Sequence, residues 1–118
     1  MEHPLQISFH GIDHSAALEV HIRGKAAKLT SFHPNITSCR VVVESPHEHK
    51  HQGQHFTVRI DVHVPGGSVV VNRESHEDVY VALRDAFDAT KRQLVEHAER
   101  LRGDVKQHPS STPGSAGT

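Results

Sequence analysis

Four histidines crowd one polar stretch, His47, His49, His51 and His55 between Ser45 and His55, and several imidazoles on one loop can converge on zinc or nickel. Their spacings of two, two and four match no structural zinc pattern, and no cysteine supports them. A histidine-biased strand connection is the bland alternative. Other constellations fit enzyme chemistry worse. His76-Glu77-Asp78-Val79-Tyr80 opens like the H-E-x-x-H zinc helix but has tyrosine where the second ligand belongs. Glu77 and Asp78 are adjacent and do not face each other as an acid/base pair must. Asp13-His14-Ser15 contains triad residue types, yet consecutive residues rarely meet in triad geometry. No glycine loop of the phosphate-cradling kind is present. Scattered cations allow a further reading, phosphate recognition. At ~100° per helical residue Arg84, Lys91 and Arg102 share one shoulder of a helix, while Asp85 and Glu96 share the other. In an earlier helix His21, Lys25 and Lys28 gather at one edge of the apolar arc, with Lys25 so far inside that its stem must snorkel outward. Two such helices side by side present lysine and arginine to phosphates, which position a protein on RNA without reading sequence. Ordinary solvated helix faces explain the same spacing. Tyr80, near the Arg84 shoulder, suits either base stacking or half-buried packing.

The elements that must carry these residues are legible from periodicity. Phe56, Val58, Ile60, Val62 and Val64 alternate with Thr57, Arg59, Asp61 and His63, the period-two pattern of a half-buried strand. Val64-Pro65-Gly66-Gly67 predicts a hairpin with positive-φ glycines in a primed turn. A second strand follows over Ser68 to Arg73, and Val69-Val70-Val71 leaves its inward parity open. Ser75 and Asp78 form an S-x-x-D capping signature. Val79, Leu83, Ala86, Phe87, Thr90, Leu94 and Leu101 then recur at helical spacing, predicting an amphipathic helix from about Asp78 to Arg102 that overhangs its sheet. Upstream, Leu5, Ile7 and Phe9 mark a short strand. Ser15 caps a helix running to about Phe32, with Leu18, Ile22, Ala26, Leu29 and Phe32 on its apolar side. Pro34-Asn35 ends that helix, and Cys39, Val41 and Val43 define another strand. The order β-α-β-β-β-α predicts an α+β fold: a four-stranded mixed sheet, its first pair parallel, with both helices packed on one face.

Bulk composition bounds the rest. At 118 residues and 35% hydrophobic content the chain suits one domain with one core. Thirteen lysines and arginines face fourteen aspartates and glutamates, so charge balance alone does not mark a nucleic-acid binder. The thirteen histidines make net charge unusually pH-dependent. One cysteine, Cys39, permits no intramolecular disulfide and reads as a small buried hydrophobe. With no secretory h-region and no span of ~20 apolar residues, a cytoplasmic location is expected. The 109–118 tail, rich in Pro, Gly, Ser and Thr, is expected to be disordered.

Four strings in order, Lys25-Ala26-Ala27-Lys28-Leu29, Val64-Pro65-Gly66-Gly67, His76-Glu77-Asp78-Val79-Tyr80 and Arg92-Gln93-Leu94, give the chain a family likeness. It resembles the ribosome hibernation-promoting factor and ribosome-associated inhibitor family, also labelled sigma-54 modulation proteins, over about residues 4 to 108. The likeness is to the short branch, here with a His-rich loop. It implies a ribosome-binding domain over 1–108 that docks on the small ribosomal subunit and its ribosomal RNA, in the channel used by messenger and transfer RNA. There it would suppress translation during stress or stationary phase, as a binder and not an enzyme, with no cofactor, membrane or small-molecule substrate. In the family the last helix carries a basic stripe, whose matching positions here are Ala89, Arg92, Glu96 and Arg100. Glu19 stands where a basic residue is common. The residues expected to meet RNA are therefore Lys25, Lys28, Arg92 and Arg100, followed by Arg84, Lys91 and Arg102. A metal-binding domain built on His47, His49, His51 and His55 is the competing expectation.

Overall fold

The computed structural model describes residues 4–45, 55–75 and 78–107. His47, His49, His51, His76, Glu77 and the 109–118 tail lie outside the described residues. The elements are β1 (Leu5–His10), α1 (Ala16–Phe32), β2 (Ser38–Glu44), β3 (Phe56–Val64), β4 (Gly67–Ser75) and α2 (Val79–Gln107). The sheet order is β1-β2-β3-β4. β1 runs parallel to β2, with Ile7 opposite Val41, and the two later pairs are antiparallel, with Val41 opposite Ile60 and Ile60 opposite Val71. This is the expected β-α-β-β-β-α arrangement, in which α1 makes the crossover that a parallel pair requires.

Alternation along the strands decides which face is covered. Cys39, Val41 and Val43, then Phe56, Val58, Ile60, Val62 and Val64, and finally Val69 and Val71 are buried, while their strand neighbours are exposed or half-buried. The open parity of the valine run is thus settled, with Val69 and Val71 inward and Val70 on the uncovered face. Both helices close the inner face. α1 contributes Leu18, Ile22, Ala26 and Leu29, and α2 contributes Val79, Ala82, Leu83, Ala86, Phe87, Ala89, Thr90 and Leu94. Thr90 is tolerated at full burial because its hydroxyl donates to the Ala86 carbonyl at 2.8 Å.

Caps and turns refine the expected boundaries. The Ser15 hydroxyl accepts from the Leu18 N–H at 3.2 Å and starts α1. At α2 the capping residue is Asp78, whose carboxylate accepts from the Tyr80 N–H at 2.8 Å, while the Ser75 hydroxyl accepts from the Asp78 N–H at 3.3 Å. Serine therefore holds the entry turn, and aspartate holds the helix. α2 also runs to Gln107, beyond the expected end at Arg102. Its 29 residues span about 44 Å at 1.5 Å per residue, against about 30 Å for a nine-residue strand. The overhang leaves Leu101 42% exposed although helical spacing assigned it to the core.

The hairpin turn differs from the primed type. Val64 pairs with Gly67, so Pro65 and Gly66 occupy the two central positions, and among the turn glycines only Gly66 has positive φ, at +90°. Proline first and a positive-φ glycine second is the signature of a type II turn. Proline's fixed negative φ forbids the primed alternative.

Candidate nucleic-acid interface

The two helices lie side by side, and the seam between them gathers cations over an apolar floor. Lys25, Lys28, Leu29 and Phe32 from α1 and Phe87, Asp88 and Lys91 from α2 line a groove of about 150 Å³. Helical spacing explains the membership. Lys28 and Leu29 each lie three or four residues from both Lys25 and Phe32, and Phe87 and Asp88 each lie three or four residues from Lys91 on the facing helix. Lys25 is half-buried, as expected for a stem lying along apolar surface, while Lys28 and Lys91 are exposed. The Lys91 ammonium stands 4.4 Å above the centroid of the Phe32 ring.

Phe32 corrects the sequence reading. Its spacing placed it on the buried arc of α1, yet it is 46% exposed, because it is the last residue of the helix and lies at the rim of the core, with the Lys91 side chain of α2 over its ring. Tyr80 is 41% exposed and meets His21 of α1 edge to face, with centroids 4.9 Å apart, so half-buried packing accounts for one side of its ring. His33, next to Phe32, is tilted and more distant at 6.1 Å.

The remaining cations separate into two groups. Arg84 and Arg102 share the Lys91 shoulder of α2, offset from it by about 20° at 100° per residue. Arg84 is already engaged, with its guanidinium 3.1 Å from the Asp85 carboxylate. Arg92 and Arg100 are turned by about 100° and about 180° from Lys91, and so face away from the α1 seam. Of the four stripe positions, Ala89 is buried at 1% exposure and offers no surface, while Arg92, Glu96 and Arg100 are exposed. Among the described residues no ion pair engages Lys25, Lys28, Lys91, Arg92, Arg100 or Arg102.

Other candidate chemistry is accounted for structurally. Ser15 is an N-cap, and His14 sits 2.7 Å from Glu19 and edge-on to Phe9, so neither is arranged as a nucleophile with its base. Glu19 also accepts from Arg23 at 2.9 Å. The Arg23 and His14 hydrogen bonds hold its carboxyl below the ordinary range. The Cys39 thiol is buried, and desolvation pushes its pKa up to about 11, with the nearby Asp61 charge acting in the same direction. A reactive thiolate is thereby disfavoured at neutral pH. Among the described residues no group of three or more His, Cys, Asp and Glu side chains is placed to hold a metal. Of the four loop histidines only His55 is described, 3.5 Å from Glu74. The uncovered sheet face has two shallow wells, of about 230 and 300 Å³, that share Arg40 and Asp61. Their charges are mixed in sign, unlike the lysine-rich seam.

Three features of the groove escaped the sequence reading: the exposure of Phe32, the contact of Lys91 with it, and the carboxylate of Asp88 among the lysines. The available signal was the position of Phe32 at the last helical turn, where an aromatic on the apolar arc outruns its cover.

Comparison with known proteins places this geometry. Residues 5–102 match the family described as Sigma 54 modulation protein / S30EA ribosomal protein. The chain is 31% identical over 110 residues, 92% of its own length and 96% of the relative's, to a protein of Azotobacter vinelandii named Ribosome hibernation promoting factor. It is 25% identical over 112 residues to the Ribosome hibernation promotion factor of Deinococcus radiodurans, of whose length it spans 58%. Two solved structures share the fold. A ribosomal subunit interface protein from Coxiella burnetii superposes with a TM-score of 0.69 at 19% identity, covering 81% of this chain and 98% of that one. The N-terminal domain of Thermus thermophilus Protein Y gives 0.62 at 22% identity, covering 75% and 90%. With the family match spanning nearly all of the ordered elements, from β1 well into α2, the chain belongs to the Sigma 54 modulation protein / S30EA ribosomal protein family.

Proposed function

We propose that this chain docks on the small ribosomal subunit through its helical face, contacts ribosomal RNA there, and suppresses translation during stress or stationary phase. The observation that carries the reading is its 31% identity across 96% of a protein named for ribosome hibernation. The lysine seam supplies a physical means. Three ammonium groups without a carboxylate ion-pair partner among the described residues converge on one groove, and cations of this kind bind RNA by neutralising phosphates and releasing counterions. Lys25, Lys28 and Lys91 form the primary contact. Arg102 extends it along the same shoulder, Arg84 joins when released from Asp85, and Arg92 with Arg100 serves phosphates on the far side of α2. The action is occupancy of a surface, with no bond made or broken, and ribosome association places the protein in the cytoplasm.

Co-sedimentation with purified small subunits, across salt from ~50 to ~200 mM, tests the reading. Phosphate-driven binding weakens steeply over that range. A chain that fails to sediment with small subunits at the lowest salt overturns it.

A further inference from the structure

Most of the seam is explained by attraction to phosphates, but an exposed phenylalanine is not. Phe32 is a large apolar ring, 46% open to water, at the mouth of a groove whose floor is Leu29 and Phe87 and whose rim is lysine. Its described polar neighbours are the Lys91 ammonium, 4.4 Å from the ring centroid, and the tilted His33 ring at 6.1 Å. An aromatic face framed by cations is the arrangement by which single-stranded nucleic acids are held, the base stacking on the ring while the backbone runs along the positive groove.

We propose that Phe32 is a stacking platform for one unpaired RNA base, and that Lys91 is exchanged from the ring to the adjoining phosphate when the base arrives. The proposal rests on the ribosomal reading above and names the form of RNA that the seam takes. The exchange has the right sign. An exposed ammonium on an aromatic face is worth about 2- to 5-fold in an equilibrium, whereas a base stacked on an aromatic side chain is worth about 5- to 150-fold. The base therefore wins the ring, and the displaced ammonium gains a phosphate in place of a quadrupole. A groove of about 150 Å³ is small enough to favour a single ring. A duplex has no ring to offer, because its bases are stacked on both faces. Asp88, the one carboxylate lining the groove among the described residues, repels phosphate but accepts hydrogen bonds from a base, so it favours a base edge rich in N–H groups over a second phosphate.

The test uses the full chain and three probes: small ribosomal subunits, a single-stranded RNA of about 12 nucleotides, and the duplex of the same sequence. Phe32→Leu keeps an apolar side chain at a site already half open, so the fold is preserved, and removes only the π face. Phe32→Trp enlarges it. The expected result for Phe32→Leu is a loss of about 2- to 30-fold on the single strand at every salt, the stacking factor divided by that of the displaced ammonium, with the salt slope unchanged and the duplex unaffected. Phe32→Trp is expected to bind at least as well as the wild type. Equal binding of the single strand by wild type and Phe32→Leu, with the salt slope intact, overturns the stacking platform and leaves the phosphate reading standing. A wild-type chain that binds neither subunits nor the single strand overturns both.

Discussion

Replacing Lys25, Lys28 and Lys91 together by glutamine tests whether the seam is an electrostatic interface, and its size follows from the structure. Among the described residues none of the three forms an ion pair, so the substitutions break no salt bridge. The fold then loses little, about 0.5 kcal/mol per surface site and about 0.5 to 1 kcal/mol more for the Lys91 contact with Phe32. Each lysine that meets a phosphate contributes about 0.7 to 0.9 to the slope of log affinity against log salt, so the triple variant loses about 2 to 3 in slope. At 0.8 per contact, extrapolated from ~1 M salt down to ~0.15 M, that amounts to about 100-fold weaker binding at ~0.15 M and almost none at ~1 M. Sedimentation of the variant with small subunits at four or five salt concentrations reads both quantities. A wild-type slope in the variant refutes the assignment of these lysines to phosphates. An equal loss at every salt refutes it differently, since charge removal must fade as salt rises while damaged shape does not.

Backbone and capping predictions check the fold that holds the seam. Gly11 has φ +71° and a Cβ there would collide with the Ser45 carbonyl oxygen, so Gly11→Ala should cost at least about 2 kcal/mol in denaturant unfolding. Gly24, mid-helix with nothing within 4 Å of an added Cβ, should instead gain about 0.5 to 1 kcal/mol on becoming alanine. Asp78→Ala removes the N-cap of α2 and should cost about 1 kcal/mol by the same measurement. Burial raises the Cys39 pKa to about 11 from an ordinary value of 9.0. A raised folded-state pKa leaves stability intact below the unfolded value and erodes it as pH rises between the two. Wild type should therefore lose on the order of 2 to 3 kcal/mol between about pH 9 and pH 11 relative to Cys39→Ala. A constant difference between the two chains across that range refutes the burial account.

How much of this was legible in sequence depends on how local each cause is. Alternation in β3 and the 3.6 period of α2 are local, and they gave the elements and the sheet's inner face directly. Ser15 declared the start of α1 because a cap is a contact between residues three apart. The turn type was readable in principle, since proline at its first central position excludes the primed turn suggested by two glycines. Phe32 and Leu101 were assigned to the core because periodicity reports direction around a helix and carries nothing about where the sheet beneath it stops. The seam itself was half legible. Each helix showed a basic shoulder, but the Lys91 contact with Phe32 and the His21 contact with Tyr80 join residues 59 positions apart in both cases, and no local pattern encodes them. Arg92 and Arg100, carried over from family likeness, turn out to face away from the lysine groove by simple helical geometry.

The near-neutral net charge is compatible with the proposed RNA-binding surface because of where the carboxylates go. A formal charge of −1 at pH 7 averages over fourteen acids, yet a phosphate approaching the helices senses only what lies within about a Debye length, ~8 Å at physiological salt. Glu19 is held by Arg23 and His14, Asp85 by Arg84, Asp61 lies beside Arg59 and His63, and Glu74 faces His55. These pairs are surface contacts worth little to stability, but those with arginine, at Glu19, Asp61 and Asp85, cancel charge locally, and the histidine partners add to this only when protonated. Two of them, around Asp61 and Glu74, belong to strands and not to the seam. The lysines of the groove are left with Asp88 as the carboxylate lining it with them. Charge segregation of this kind sets association with RNA through the local field, while solubility follows the net charge. A sequence with balanced composition can therefore present a basic groove, provided that few of its acids line it.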